Sequence, residues 1–155
     1  VPQGTSISFG ETTVLPDGDS VLAITRPRDQ GVALVSTSDD GGHTWTPLAL
    51  SNYPMADSKP YVLRLSTGQR CLVSNWPSRN TLLIAVSEPG ETLLSHVHRI
   101  RHGRSPSARG SGHFGSSQWS YPYAYEHDGR IYVVYSITKE DCGLSIIPLE
   151  ALEGP

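Results

Sequence analysis

A hairpin-like unit occurs three times in this 155-residue sequence, and the repetition limits the chain to a small number of folds. The copies are ETTVLPDGDSVLAITR at 11–26, KPYVLRLSTGQRCLVSN at 59–75 and YPYAYEHDGRIYVVYS at 121–136. Each has a turn dipeptide near its centre: Asp17-Gly18, Thr67-Gly68 and Asp128-Gly129. Glycine supplies the positive φ that tight hairpin turns need. Because the turns are about 50 to 60 residues apart, each unit has the size of a propeller blade.

Further strands are predicted after each hairpin. Apolar, β-branched-rich runs at 31–36, 81–87 and 143–149 are typical of strands that are buried on both faces. More polar runs near 45–50 and 94–100 predict a fourth strand in the first two units. Helix signals are nearly absent, and only 149–152 predicts a single helical turn.

The fold class that this pattern indicates is all-β, with about three four-stranded antiparallel propeller blades. The predicted units are 8–55, 56–103 and 118–152, and a Gly/Ser-rich loop at 104–117 joins the last two. Three blades cannot close a ring. Either the chain is part of a longer propeller whose N-terminal blades are absent here, which is the preferred interpretation, or a second copy completes the ring, or the repeats pack as an open sandwich.

Composition and charge narrow the classes of partner. The formal net charge is −3, which disfavours a nucleic-acid partner, and no apolar run is long enough to cross a bilayer. Cys71 and Cys142 have no CxxC neighbour, and His96 and His98 have no third ligand at metal-binding spacing. The sequence therefore predicts no metal and no organic cofactor, and nothing in it indicates a compartment.

One motif marks a family. Residues 38–45 read SDDGGHTW, which matches the Asp-box pattern S-x-D-x-G-x-T-W at every specified position. Its members here are Ser38, Asp40, Gly42, Thr44 and Trp45. The Asp side chain can accept N–H groups within the turn, and Trp packs beneath it. With this motif and its blade-sized repeat, the chain resembles the C-terminal half of the six-bladed sialidase (neuraminidase) propellers, in which the Asp-box is structural.

The resemblance also implies roles for four residues. Sialidases bind the substrate carboxylate with three arginines and attack the sugar with a tyrosine that a glutamate activates. The matching positions here are Glu11 as the partner of the tyrosine, Arg26 and Arg79 as carboxylate-binding residues, and Tyr121 as the nucleophile. Arg28 is an alternative to Arg26. Pro122 stands where the family usually has serine, and the first arginine and the acid/base aspartate have no counterpart in this chain.

The residue types fit that chemistry. A sialoside carries a carboxylate on the carbon that is attacked, so a neutral phenol avoids the repulsion that an anionic nucleophile would meet. Tyrosine has an ordinary pKa of about 10 and needs a base such as Glu11 to accept its proton. Arginine binds a carboxylate through two parallel hydrogen bonds, which lysine cannot do. From the residues alone, an exposed Glu11 is as good an interpretation as a base, and Arg26 and Arg79 can simply cap loops, although a function is favoured slightly for Arg79. Without the resemblance, Tyr121 is interpreted as an interface aromatic.

The sequence thus predicts part of an exo-sialidase-like glycoside hydrolase, whose partner is a sialylated or related anionic glycan. The alternative is a noncatalytic propeller that binds a glycan or a protein, completed by dimerisation. A protein can keep a fold after it has lost the catalytic activity, and the Asp-box indicates only the fold.

Overall fold

The computed structural model describes residues 10–106 and 117–153, which form eleven strands and one short 3₁₀-helix. The strands are β1 (Thr12–Asp17), β2 (Ser20–Thr25), β3 (Val32–Ser38), β4 (Ala49–Pro54), β5 (Tyr61–Arg64), β6 (Arg70–Asn75), β7 (Thr81–Ser87), β8 (Leu94–His102), β9 (Trp119–His127), β10 (Arg130–Ile137) and β11 (Asp141–Pro148). The helix η1 (Leu149–Leu152) is the predicted single turn. Within these residues, no helix has the length and apolarity that a membrane crossing requires.

The strands form three antiparallel sheets that follow one another along the chain. Blade 1 has the order β1-β2-β3-β4, blade 2 has β5-β6-β7-β8, and blade 3 has β9-β10-β11 with β10 in the centre. The all-β prediction of consecutive propeller blades is confirmed. Within the described residues blade 3 has three strands, where blades 1 and 2 have four. Most of the predicted loop 104–117 lies outside the described residues, as does the start of the first predicted unit.

The predicted hairpins are present. In blade 3, Asp128 and Gly129 are the two turn residues, and their φ values of 48° and 68° are those of a type I′ turn. In blade 1, Asp17 pairs with Ser20, so the turn is Gly18-Asp19, one residue later than predicted. Gly18 has φ of 64° and opens that turn.

The third strands differ in burial. Strand β7 is buried over nearly its whole length, as predicted, and β3 is largely buried. The prediction was wrong for β11, where Ser145 alone is buried and Leu144 and Ile146 are half exposed. The reason is position: β11 is the edge strand of blade 3 in the described part of the chain.

Apolar cores join the blades side by side. Between blades 1 and 2, Leu15 and Ile24 pack with Val62 and Leu72 over Met55. A larger core between blades 2 and 3 contains Leu65, Cys71, Val73, Leu82, Ile84, Val86, Trp119, Ala124, Ile131, Val133, Tyr135 and Leu152. Removing these faces from water is the main driving force for blade stacking.

Polar links reinforce this packing at the ends of the hairpins. The carboxylate of Asp17 in blade 1 accepts a hydrogen bond from Nη2 of Arg70 in blade 2 at 2.6 Å, and it forms an ion pair with Nη2 of Arg64 at 2.6 Å. Ser66 of blade 2 donates its backbone N–H to Glu126 of blade 3 at 2.7 Å, and its hydroxyl also binds that carboxylate. We call this end of the blades, which carries the turns at 18–19, 65–69 and 128–129, the turn end. The opposite end, where β1, β5 and β9 begin, is the entry end.

Candidate functional site

The entry end collects charged side chains from all three blades. Glu11 directly precedes β1, and Arg26 directly follows β2. In blade 2, Arg79 lies in the loop between β6 and β7, and in blade 3 Lys139 lies in the turn between β10 and β11. Each loop between a second and a third strand therefore brings at least one cationic side chain to this end.

Arg26 is the most deeply buried member of the group, with a side chain that is 4% exposed. Its Nε donates to Asp57 Oδ1 at 2.5 Å, and its Nη1 donates to Glu11 Oε2. Burial works against the charged guanidinium, but the hydrogen bonds that it donates to Asp57 and Glu11 more than offset this effect, and the pKa of Arg26 lies above its ordinary value. Arg26 is thus a fixed cation between two carboxylates.

Arg79 connects the same cluster to blade 3. Its Nε and Nη2 donate to the backbone carbonyl of Asp57 at 3.2 and 2.9 Å. Its Nη1 donates to Gln118 Oε1 at 3.1 Å, and the same oxygen accepts the hydroxyl of Ser120 at 2.9 Å. Asp57 therefore contacts both predicted arginines, Arg26 through its carboxylate and Arg79 through its carbonyl.

Tyr121 lies at a β-bulge near the start of β9. The pairing of β9 with β10 shifts between Ser136 and Val134, and Tyr121 has φ of 55°, in the left-handed region that bulky residues rarely adopt. Bulges turn a side chain away from its regular direction and are frequent beside active sites. Here the phenol ring lies near Arg79, whose Cζ is 5.3 Å from the ring centroid.

Tyr121 and Glu11, the predicted nucleophile and its base, both belong to the cluster at the entry end but make no direct hydrogen bond to each other in the described part of the chain. The carboxylate of Glu11 binds Arg26 through Oε2, and no hydrogen bond joins Glu11 to Tyr121 among the described residues. The assignments of Glu11, Arg26, Arg79 and Tyr121 remain predictions. Arg28, the alternative to Arg26, lies outside the cluster with a side chain 59% exposed, and its nearest described carboxylate is that of Asp29 at 3.7 Å.

Sequence reasoning missed Asp57 and Gln118. Asp57 lies four residues before β5, and Gln118 directly precedes β9, so both match the place of Glu11 before β1. An alignment of the three units on their first strands, β1, β5 and β9, would have indicated Asp57 and Gln118 as candidates. Such an alignment would not have identified the residues that they bind. Arg26 reaches Asp57, and Arg79 reaches Gln118, only when neighbouring blades pack together.

The Asp-box forms the predicted structural turn. Asp40 Oδ2 accepts the hydroxyl of Thr44 at 2.6 Å, and its Oδ1 accepts the Thr44 N–H and the Ser38 hydroxyl, each at 2.8 Å. The indole N–H of Trp45 donates to the carbonyl of Gly42 at 2.9 Å. These bonds, the one to the Thr44 hydroxyl first, lower the pKa of Asp40 to about 2. The motif follows β3 at the turn end, away from the cluster described above.

No group of three or more His, Cys, Asp or Glu side chains is placed to bind a metal ion within the described residues. His96 instead pairs with Glu88 at 2.6 Å. The cluster at the entry end offers guanidinium groups, an ammonium, carboxylates and a phenol. That set is suited to binding an anionic ligand and to acid–base or nucleophilic chemistry.

Comparison with solved structures shows the same architecture in sialidases. The intramolecular trans-sialidase from Ruminococcus gnavus, solved with oseltamivir carboxylate, has a TM-score of 0.69 at 16% identity, with 94% of this chain and 34% of that chain covered. A Hadza microbial sialidase gives 0.71 at 14% identity, with coverages of 92% and 28%. The K499G mutant of NanB sialidase from Streptococcus pneumoniae gives 0.66 at 14% identity, with coverages of 96% and 25%.

At these identities the likeness establishes the fold, and the chain spans only about a quarter to a third of each of these structures. No curated protein sequence matches it. Residues 8–133 match the BNR repeat-like domain family, which is most of the chain and includes the Asp-box and all four predicted site residues. The chain therefore belongs to the BNR repeat-like domain family, with the fold of the sialidase β-propellers.

Proposed function

We propose that these blades are part of an exo-sialidase-like glycoside hydrolase, and that the cluster at the entry end is its share of the active site. The observation that carries the proposal is the contact network that runs from Glu11 through Arg26, Asp57 and Arg79 to Tyr121. The sequence resemblance predicts site roles for four of these five residues, Glu11, Arg26, Arg79 and Tyr121. The fifth, Asp57, joins them because it contacts both Arg26 and Arg79.

The ligand carboxylate would lie against the arginines. Arg79 and Tyr121 are partly exposed, so they are the groups that an entering sugar meets first. Arg26 is buried, and it would reach only a carboxylate at the floor of the site, while also fixing the positions of Glu11 and Asp57. The Ruminococcus gnavus enzyme was solved with a carboxylate ligand, which agrees with a site of this charge.

The chemical step follows from the proposed roles. The phenol oxygen of Tyr121 attacks the anomeric carbon, a new O–C bond forms, and the bond to the leaving oxygen breaks. The phenolic proton passes to Glu11, whose Oε1 makes no hydrogen bond among the described residues. Hydrogen bonds of this kind often form only when the substrate is bound. Water then cleaves the sugar from Tyr121.

Two groups of the predicted site have no counterpart in this chain. By the sialidase resemblance, these are the first arginine and the aspartate that protonates the leaving oxygen. Both would come from other blades of the propeller. The substrate class that the cluster fits is a terminal sugar bearing a carboxylate, such as sialic acid.

Hydrolysis of a fluorogenic sialoside by the full-length natural protein tests the proposal. We expect Tyr121→Phe to lower kcat by at least about 100-fold, because no oxygen remains to attack. Tyr125→Phe is the matched control, since Tyr125 lies on the same strand near the turn end and is exposed. Equal activity of the two variants would contradict the assignment of Tyr121.

A further inference from the structure

The turn between β10 and β11 has an unusual composition for its conformation. Glu140 donates its backbone N–H to the carbonyl of Ile137 at 3.0 Å, and the two residues between them, Thr138 and Lys139, have φ values of 56° and 61°. These values define a type I′ turn, which strongly favours Asn-Gly. A β-branched threonine and a lysine are both unfavourable at positive φ. The other type I′ turn of this blade has the expected Asp128-Gly129.

Contacts with the start of β9 hold this turn in place. Thr138 is buried, and its backbone N–H donates to the carbonyl of Gln118 at 2.9 Å. Its hydroxyl lies 2.7 Å from that of Ser105. Gln118 is also the residue that binds Arg79, so the turn is attached directly to the cluster. One residue, Gln118, therefore contacts both Arg79 and the turn that carries Lys139.

The side chain of Lys139 extends toward Tyr121. Its Nζ lies 5.7 Å from the centroid of the phenol ring, and the Cζ of Arg79 lies 5.3 Å from the same centroid. Both distances are within the range of a cation–π interaction. Four non-glycine residues have positive φ in the described parts of the chain, and Tyr121, Thr138 and Lys139 are three of them. Such conformations are retained mostly at functional sites.

From this geometry we infer that Lys139 is a further ligand-binding residue of the site, which contacts one oxygen of the ligand carboxylate beside Tyr121. The inference rests on the proposed function. Lysine is a point charge with no fork of donors, so it suits a single oxygen, while the planar Arg79 can bind two. This role would account for the unfavourable backbone conformation of Thr138 and Lys139, because that conformation places the Lys139 ammonium beside the phenol ring of Tyr121.

Three substitutions separate charge from backbone conformation. Lys139→Met keeps the length and removes the charge, Lys139→Arg keeps the charge, and Lys139→Gly removes the side chain but relieves the left-handed backbone. Arg130→Met is the control, because Arg130 is an exposed cation of the same blade at the turn end. The readouts, in the full-length natural protein, are the affinity for free N-acetylneuraminate, KM and kcat for a sialoside, and the melting temperature.

We expect Lys139→Met to weaken N-acetylneuraminate binding and raise KM by about 10- to 100-fold, as for one hydrogen bond between charged groups. Lys139→Arg should retain most of the affinity, and Arg130→Met should retain all of it. Lys139→Gly should raise the melting temperature while weakening binding, a combination that a purely structural role would not give. Unchanged binding and KM in Lys139→Met, with an active parent, would overturn this inference alone. A parent that neither binds nor cleaves sialosides would overturn the proposed function and this inference with it.

Discussion

Gly143 lies against the ring of Tyr135, and a methyl group on Gly143 would overlap the ring carbon Cε2. The two residues pair across β10 and β11. The ring is itself fixed, because Tyr135 is buried, packs edge-to-face on Trp119 and binds the hydroxyl of Ser145 at 3.0 Å. A side chain at position 143 therefore has no room unless this buried ring moves.

We predict that Gly143→Ala lowers the free energy of unfolding by about 2 kcal/mol, the usual cost of overpacking a core. Chemical denaturation of the variant and the parent measures this difference. Gly10→Ala is the control, because an added methyl group at Gly10 has no atom within 4 Å. Equal stability of the two variants would show that the Tyr135 ring shifts freely.

The link between Ser66 and Glu126 gives a second prediction. The carboxylate of Glu126 accepts two hydrogen bonds from the turn of the preceding blade, and Glu126→Gln removes its charge and one acceptor. We expect a loss of about 1 kcal/mol in the free energy of unfolding, since hydrogen bonds to charged groups are moderately strong but this one is exposed.

Glu91→Gln is the matched control for that link, because Glu91 is exposed and its side chain makes no described contact. Urea titration of both variants distinguishes them. If Glu126→Gln behaves like Glu91→Gln, the blades are held together by their apolar cores alone.

The Asp-box makes stability depend on pH. In the folded chain the pKa of Asp40 is about 2, below its ordinary value of 3.8, because the Thr44 hydroxyl, the Thr44 N–H and the Ser38 hydroxyl stabilise the carboxylate. A lowered pKa in the folded state contributes stability that is present above about pH 4 and is lost as the pH falls toward 2. The parent should therefore lose stability across this interval.

Asp40→Asn should lose less stability over the same interval than the parent, and it should be less stable than the parent at neutral pH. Urea midpoints measured between about pH 6 and pH 2 test this. The control is Asp39→Asn, since the neighbouring carboxylate binds Ser20 and takes no part in the Asp-box bonds. An unchanged pH profile in Asp40→Asn would contradict the prediction.

Asp57 provides the prediction that concerns the site itself. Asp57→Asn removes one of the two carboxylates described beside the buried guanidinium of Arg26. We expect the free energy of unfolding to fall by about 1 to 2 kcal/mol, a value reduced for the partial exposure of Asp57. Asp29→Asn, in the exposed pair with Arg28, should change it by less than about 0.5 kcal/mol. A similar effect at both positions would mean that Arg26 does not depend on Asp57.

Local sequence pattern was sufficient for the hairpins and for β7, because turn chemistry and a run of β-branched residues act over a few positions. It was less accurate for β4, which begins at Ala49 and not near Trp45. The Asp-box turn continues through Thr46, whose N–H binds the carbonyl of Thr37, and Pro47 has no N–H to donate to a strand. The exposure of β11 depends on which strand lies beside it, and local pattern contains no such information.

In the candidate site, too, some contacts follow from local sequence and others depend on how the blades pack. Glu11 and Arg26 flank a single hairpin, and their backbones are already joined by the Arg26 N–H to Glu11 carbonyl bond at 3.0 Å. Their proximity follows from the repeat alone. Asp57 meets Arg26 only across the junction of two blades, and the left-handed turn of Lys139 contradicts its own residue preferences. Both depend on tertiary packing, so neither could be predicted from one unit of the sequence.

The links of Asp17 and Ser66 at the turn end have a consequence for how such a protein can change. They join each blade to the next at the end opposite the cluster of Glu11, Arg26, Asp57, Arg79 and Tyr121, and the apolar cores join the sheets along their faces. If the entry end holds the active site, as we propose, its loops can therefore exchange residues and acquire a different ligand preference, while the scaffold that carries them keeps its alignment.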